Sequence, residues 1–131
     1  MDAEEFEQKV SHRAGMPRDR SEVLIRAVLE TLAERLTGGE ARDMAAQLPK
    51  PMKDWLTPAS EQAEGFGLDE FVRRVSERTR VSPEEARRAT QAVLAVLRLT
   101  VTTGEFEDVM SQLPGEFSEL LQAQPAARPA Q

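Results

Sequence analysis

The sequence predicts an all-α protein: two similar four-helix repeats packed as a pseudo-twofold helical bundle. Three observations predict it. Apolar residues recur at helical spacing along most of the 131 residues, and no segment alternates as a half-buried strand would. Capping residues and prolines punctuate the pattern at helix-length intervals. The chain also repeats itself. Shifted by 65 residues, Glu5 to Leu56 falls on Glu70 to Leu121 without a gap, and 17 of the 52 paired positions are identical. Self-similarity of this kind marks a duplicated unit.

The matches cluster. Phe6, Val10, Ser11 and Arg13 fall on Phe71, Val75, Ser76 and Arg78, and Ala27-Val28-Leu29 falls on Ala92-Val93-Leu94. Thr37, Gly39, Glu40 and Asp43 fall on Thr102, Gly104, Glu105 and Asp108, and Gln47-Leu48-Pro49 falls on Gln112-Leu113-Pro114. The organisation expected is a first repeat over 1–56, a linker over 57–67, a second repeat over 68–121 and a disordered tail over 122–131. A unit of about fifty residues buries only a modest fraction of its surface. The two copies are therefore expected to close on each other.

The first helix is predicted over 3–14 and again over 69–79. Asp2 and Glu5 have capping-box spacing. Phe6, Val10 and Arg13 share one face, as do Phe71, Val75 and Arg78. The second helix, over 19–36 and 83–101, is the longest and is apolar around most of its circumference, so it should be buried on several sides. Ser82-Pro83-Glu84-Glu85 is a strong start, with Asp19 and Glu22 as its weaker counterpart. The third helix, over 38–47 and 103–112, opens on Thr37 and Thr102. Each Thr should accept the third amide while Glu40 or Glu105 reaches back. Leu48 and Leu113 precede proline, which ends this helix. A short fourth helix, over 50–56 and 115–121, carries Met52, Trp55 and Leu56, then Phe117, Leu120 and Leu121.

Composition narrows function. The chain has no Cys and a single His, His12, so neither a thiolate nucleophile nor a zinc-thiolate site is available. The net charge of −6 argues against nucleic acid as a partner. No apolar run approaches the length that spans a bilayer, and the acidic start is unlike a signal peptide, so no membrane association and a cytoplasmic location are expected. Of 17 basic residues 14 are Arg, a bias expected of a GC-rich bacterial genome.

The candidate residues are few. Glu40 with Asp43, and Glu105 with Asp108, lie three apart on one helix face. Brought together, the two pairs could hold a hard cation, but capping and an Asp43–Gln47 bond account for them structurally. No catalytic residue, metal or cofactor is assigned. Arg13 and Arg78 share faces with buried residues and need acceptors. Each is expected to clamp the first helix of its copy to the third. Trp55 is expected to seal the contact between copies, and Trp55 and Phe117 are candidate partner contacts.

Taken together, Glu-Phe-x-x-x-Val, the Ala-Val-Leu helix and Gly-Glu-x-x-Asp…Gln-Leu-Pro, each present twice, make the chain resemble a bacterial family, domain of unknown function 2267, over about residues 2–121. The resemblance implies an all-helical unit in two copies and carries over no catalytic residue. Thr103 stands where the first copy has Gly38, which leaves the cap intact. The expected function is that of a non-catalytic interaction or scaffold protein, binding an unidentified protein or itself. The alternative is a small-ligand protein or enzyme using Asp, Glu and Arg in a crevice between the copies.

Overall fold

A computed structural model describes residues 1–123. Among them are eight helices and no strand: α1 (Ala3–Ala14), α2 (Arg18–Arg35), α3 (Gly38–Ala45), α4 (Met52–Trp55), α5 (Leu68–Thr79), α6 (Pro83–Thr100), α7 (Thr103–Ser111) and α8 (Gly115–Gln122). Gln122, expected in the tail over 122–131, belongs to α8; residues 124–131 of that expected tail lie outside the described part.

Local chemistry sets most boundaries. Asp2 accepts the Glu5 amide at 2.8 Å, and Ser82 accepts that of Glu85 at 3.1 Å. Gly15 ends α1 in the left-handed region at φ 66°, and Arg80 does the same for α5 at φ 62°. Behind each turn a serine closes the same bond: Ser11 donates to the Met16 carbonyl and Ser76 to the Val81 carbonyl. One start differs from expectation. α2 begins after Pro17 with no side-chain cap, and Asp19 accepts the amide of its neighbour Arg20 instead.

The core is built around α2 and α6. Leu24, Ile25, Val28, Leu29 and Leu32 of α2 are fully buried, as are Val93, Leu94, Val96 and Leu97 of α6. Burying one such side chain is worth about 1.5–3 kcal/mol. Thr31 and Thr90, also buried, satisfy their hydroxyls on the carbonyls of Ala27 and Ala86. The packing is crosswise. α1 lies on α6 as well as on α2, α5 lies on α2 as well as on α6, and α3 meets α7. α4 packs on α2 and α3.

The segment 57–67 is anchored rather than loose. The Glu61 carbonyl accepts the Gly38 amide at 3.0 Å, and its carboxylate takes both Arg42 terminal nitrogens at 2.7 and 2.9 Å. Gly38 is buried beneath it, and a Cβ there would stand 2.5 Å from Glu61 Oε1 and 3.0 Å from its Cα. Further on, the Glu64 amide donates to the Glu34 carbonyl, and Arg35 Nε donates to the Phe66 carbonyl at 2.7 Å.

Candidate functional site

The repeated Thr-x-Gly-Glu…Gln-Leu-Pro string comes together where α3 meets α7. Thr37 and Thr102 cap their helices, each accepting the third amide at 3.3 and 3.2 Å. The glutamates do not reach back. The Thr37 amide donates to Gln112 Oε1 at 3.0 Å, and the Thr102 amide donates to Gln47 Oε1 at 2.8 Å. Each helix start is thus completed by a glutamine 75 or 55 residues away. Gln47 is therefore engaged with Thr102 rather than with Asp43. The signal was in the sequence: Gln47 and Gln112 recur at fixed spacing from the threonines.

Freed from capping, the glutamates meet. Carboxylate oxygens of Glu40, Asp43 and Glu105 lie within 4.8 Å of one another. Glu40 Oε1 and Glu105 Oε2 are buried acceptors with no donor among the described residues. Burial, then a hydrogen bond to the Glu40 carboxyl and the charges of Glu40, Asp43 and Asp108, push the Glu105 carboxyl up to about 8. One proton shared by the pair at neutral pH would satisfy both facing acceptors. Oxygens so placed could equally hold a hard cation. The cluster brings together all four predicted acidic residues; Asp43 and Asp108 are exposed at its edge.

The second constellation lies across α2 and α5. Glu34 accepts Arg74 at 2.9 Å and also accepts Arg78, which donates in addition to the Thr31 hydroxyl. Burial opposes the charge on Glu34, but the bonds from Arg78 and Arg74 prevail and hold its carboxyl below the usual range. Arg74 also pairs with Glu64 at 3.0 Å and with Glu70 at 2.8 Å, and stands over the Phe66 ring at 3.9 Å. The half-buried Glu70, bonded by Arg73 and Arg74, is held down at about 2.

The clamp expected of the two arginines is corrected here. Arg78 reaches α2, not α7, and Arg13 is exposed with no hydrogen bond or ion pair among the described residues. The reason is the crosswise packing. The first helix of each copy packs on the long helix of the other copy as well as on its own, so that helix can supply acceptors. For Arg78 these are Thr31 and Glu34. The positions 65 residues on, which α6 offers Arg13, are Val96 and Leu99. Leu99 is 56% exposed.

Phe117 is also corrected as a partner contact. It is fully buried, edge-on to Phe71 at 5.4 Å between ring centres. Trp55 is half-buried on α4 with the Arg26 guanidinium of α2, in its own copy, 5.9 Å from its ring. His12 is exposed on α1.

An all-helical protein with capped, interlocked segments and no helix long and apolar enough to cross a membrane among the described residues is the class this geometry defines. The chain belongs to the family of uncharacterized conserved proteins designated DUF2267, which matches residues 3–120. No curated protein matches the chain.

Proposed function

We propose that the chain is a non-catalytic interaction or scaffold protein, its two copies closed about a pseudo-twofold axis and one surface left for a protein partner. Contacts between equivalent positions support the axis. Arg20 and Glu85, 65 residues apart, pair at 3.2 Å, and Glu40 meets Glu105 in the same relation. The crossed Thr37–Gln112 and Thr102–Gln47 bonds are the reciprocal contacts a dyad generates.

One observation carries the interaction reading. The same helix junction occurs twice, and among the described residues its charges are satisfied only once. Between α2 and α5, cations and carboxylates neutralise each other. Between α1 and α6, Arg13 has no acceptor among the described residues and Leu99 is 56% exposed. Unpaired charge beside exposed apolar surface is what a partner surface offers.

Affinity purification of the tagged protein from its own cells, with mass spectrometry of proteins and metabolites, tests the reading. A near-stoichiometric protein partner, or a second copy, supports it. A co-purifying metabolite with no protein partner overturns it in favour of a ligand-binding role.

A further inference from the structure

We infer that the α1–α6 face binds an acidic segment carrying a large apolar side chain, supplied by a partner protein; this rests on the interaction reading and specifies the partner. The chain holds its own template for such a ligand. At the α2–α5 junction the occupant is Glu64-Gly65-Phe66. The Glu64 carboxylate sits on Arg74 at 3.0 Å, its amide donates to the Glu34 carbonyl at 2.9 Å, and the Phe66 ring lies beneath the Arg74 guanidinium. Arg35 holds the Phe66 carbonyl. An acidic residue followed two positions later by an aromatic one thus fits a cationic first-helix face.

The counterpart junction keeps the cations and lacks the carboxylate that quenches them. Lys9 stands for Arg74, and Arg13 for Arg78. Leu99 replaces Glu34, and His12 replaces Glu77. Neither Lys9 nor Arg13 has an ion pair among the described residues, whereas Arg74 has three and Arg78 one. On α1, Glu4 and Glu5, equivalent to Asp69 and Glu70, retain negative charge. At the position of Phe66 stands Met1, which is 42% exposed and lies 3.5 Å from the Thr100 hydroxyl. A partner carboxylate would take Arg13 and Lys9, in charge-assisted bonds, and its apolar side chain would cover Leu99. On a chain of net charge −6, an acidic partner is repelled by most of the surface and drawn to the cations Lys9 and Arg13.

The test uses the full chain and a fluorescein-labelled peptide of the chain's own residues 58–67, followed by anisotropy. Saturable binding is expected, weakened at least tenfold by Arg13→Glu and by high salt. It should persist in Arg74→Ala, which places the peptide on α1 rather than on the junction already occupied. Arg13 makes no hydrogen bond or ion pair among the described residues, so its replacement should leave the fold intact, which circular dichroism checks. Three results overturn the inference: no binding at millimolar protein, binding unchanged in Arg13→Glu, or equal binding by a peptide with Glu61→Lys and Glu64→Lys. A partner purified from cells that still binds Arg13→Glu would leave the interaction reading standing and remove this site. Absence of any cellular partner alongside peptide binding would do the reverse.

Discussion

Arg20 and Glu85 occupy the same position of the two sequence copies, and their side chains meet at 3.2 Å. Equivalent residues touch only where they straddle the proposed axis. In separate identical subunits that position would hold two like charges, so the opposite pair belongs to a chain in which both copies are already joined. Glu40 and Glu105 carry the identical residue, and there a proton held by the pair would relieve the repulsion.

That proton makes stability depend on pH. The Glu105 carboxyl is raised from an ordinary 4.5 to about 8, so the folded chain holds a proton that the unfolded chain releases. Its contribution is neutral below about 4.5, and stability falls as pH rises from there through about 8. Around the group stand Glu40 and Asp43 from α3 and Asp108 from α7. Glu105→Gln should remove this slope and raise the melting temperature at pH 9 by a few degrees, about 1 kcal/mol. Thermal melts of both proteins from pH 5 to 9 check it. Parallel curves would show that no proton is shared.

The crossed glutamines should each contribute measurably. Gln47→Ala or Gln112→Ala leaves a helix-start amide without its partner and should cost about 1 kcal/mol. Urea denaturation reads the loss, and amide exchange at Thr102 or Thr37 should quicken only for the amide whose glutamine was removed.

The two arginines at equivalent positions should behave oppositely. Arg78→Ala breaks the bonds to Glu34 and Thr31 and should cost about 1–2 kcal/mol, allowing for partial exposure. Arg13→Ala should change stability by less than about 0.5 kcal/mol. Glu34 is held below its ordinary value, so its share is present above about 4.5 and is lost as pH falls further. Denaturant midpoints for the two variants at pH 7 and pH 3 test the contrast.

Gly38 and Thr103 give a third comparison. A methyl on Gly38 meets Glu61, including its backbone, so Gly38→Ala should cost about 1–3 kcal/mol. Thr103→Ala, at the equivalent start of α7, should stay within about 0.5 kcal/mol. A Gly38→Ala variant as stable as the parent would mean that the segment 57–67 lifts away without loss.

At Arg80 the left-handed backbone carries a side chain that its counterpart Gly15 avoids. Arg80→Gly should therefore raise stability by about 0.5–1 kcal/mol, read as a shift in melting temperature.

The helices were legible because their causes are local. Asp2, Thr37, Ser82 and Thr102 announce starts by residue type and spacing, and Phe6 with Val10 announces a buried face. What escaped depends on partners chosen in three dimensions. Glu40 and Glu105 have the spacing to reach back, but a glutamine of the other copy is closer to the amide. Arg13 and Arg78 are identical in sequence and sit on matching helices. The residues across the junction, Val96 and Leu99 against Thr31 and Glu34, leave Arg13 without an acceptor among the described residues and Arg78 bound. The acidic pairs could be listed from the repeat, while their meeting required the α3–α7 contact.

The crosswise arrangement has a consequence for synthesis. While the first half leaves the ribosome, α1 waits for a surface on α6 that has not been made, and α2 lacks α5 to cover its far side. Native structure must then form late and nearly all at once, so a chain halted at the midpoint should be recognised by chaperones as unfinished.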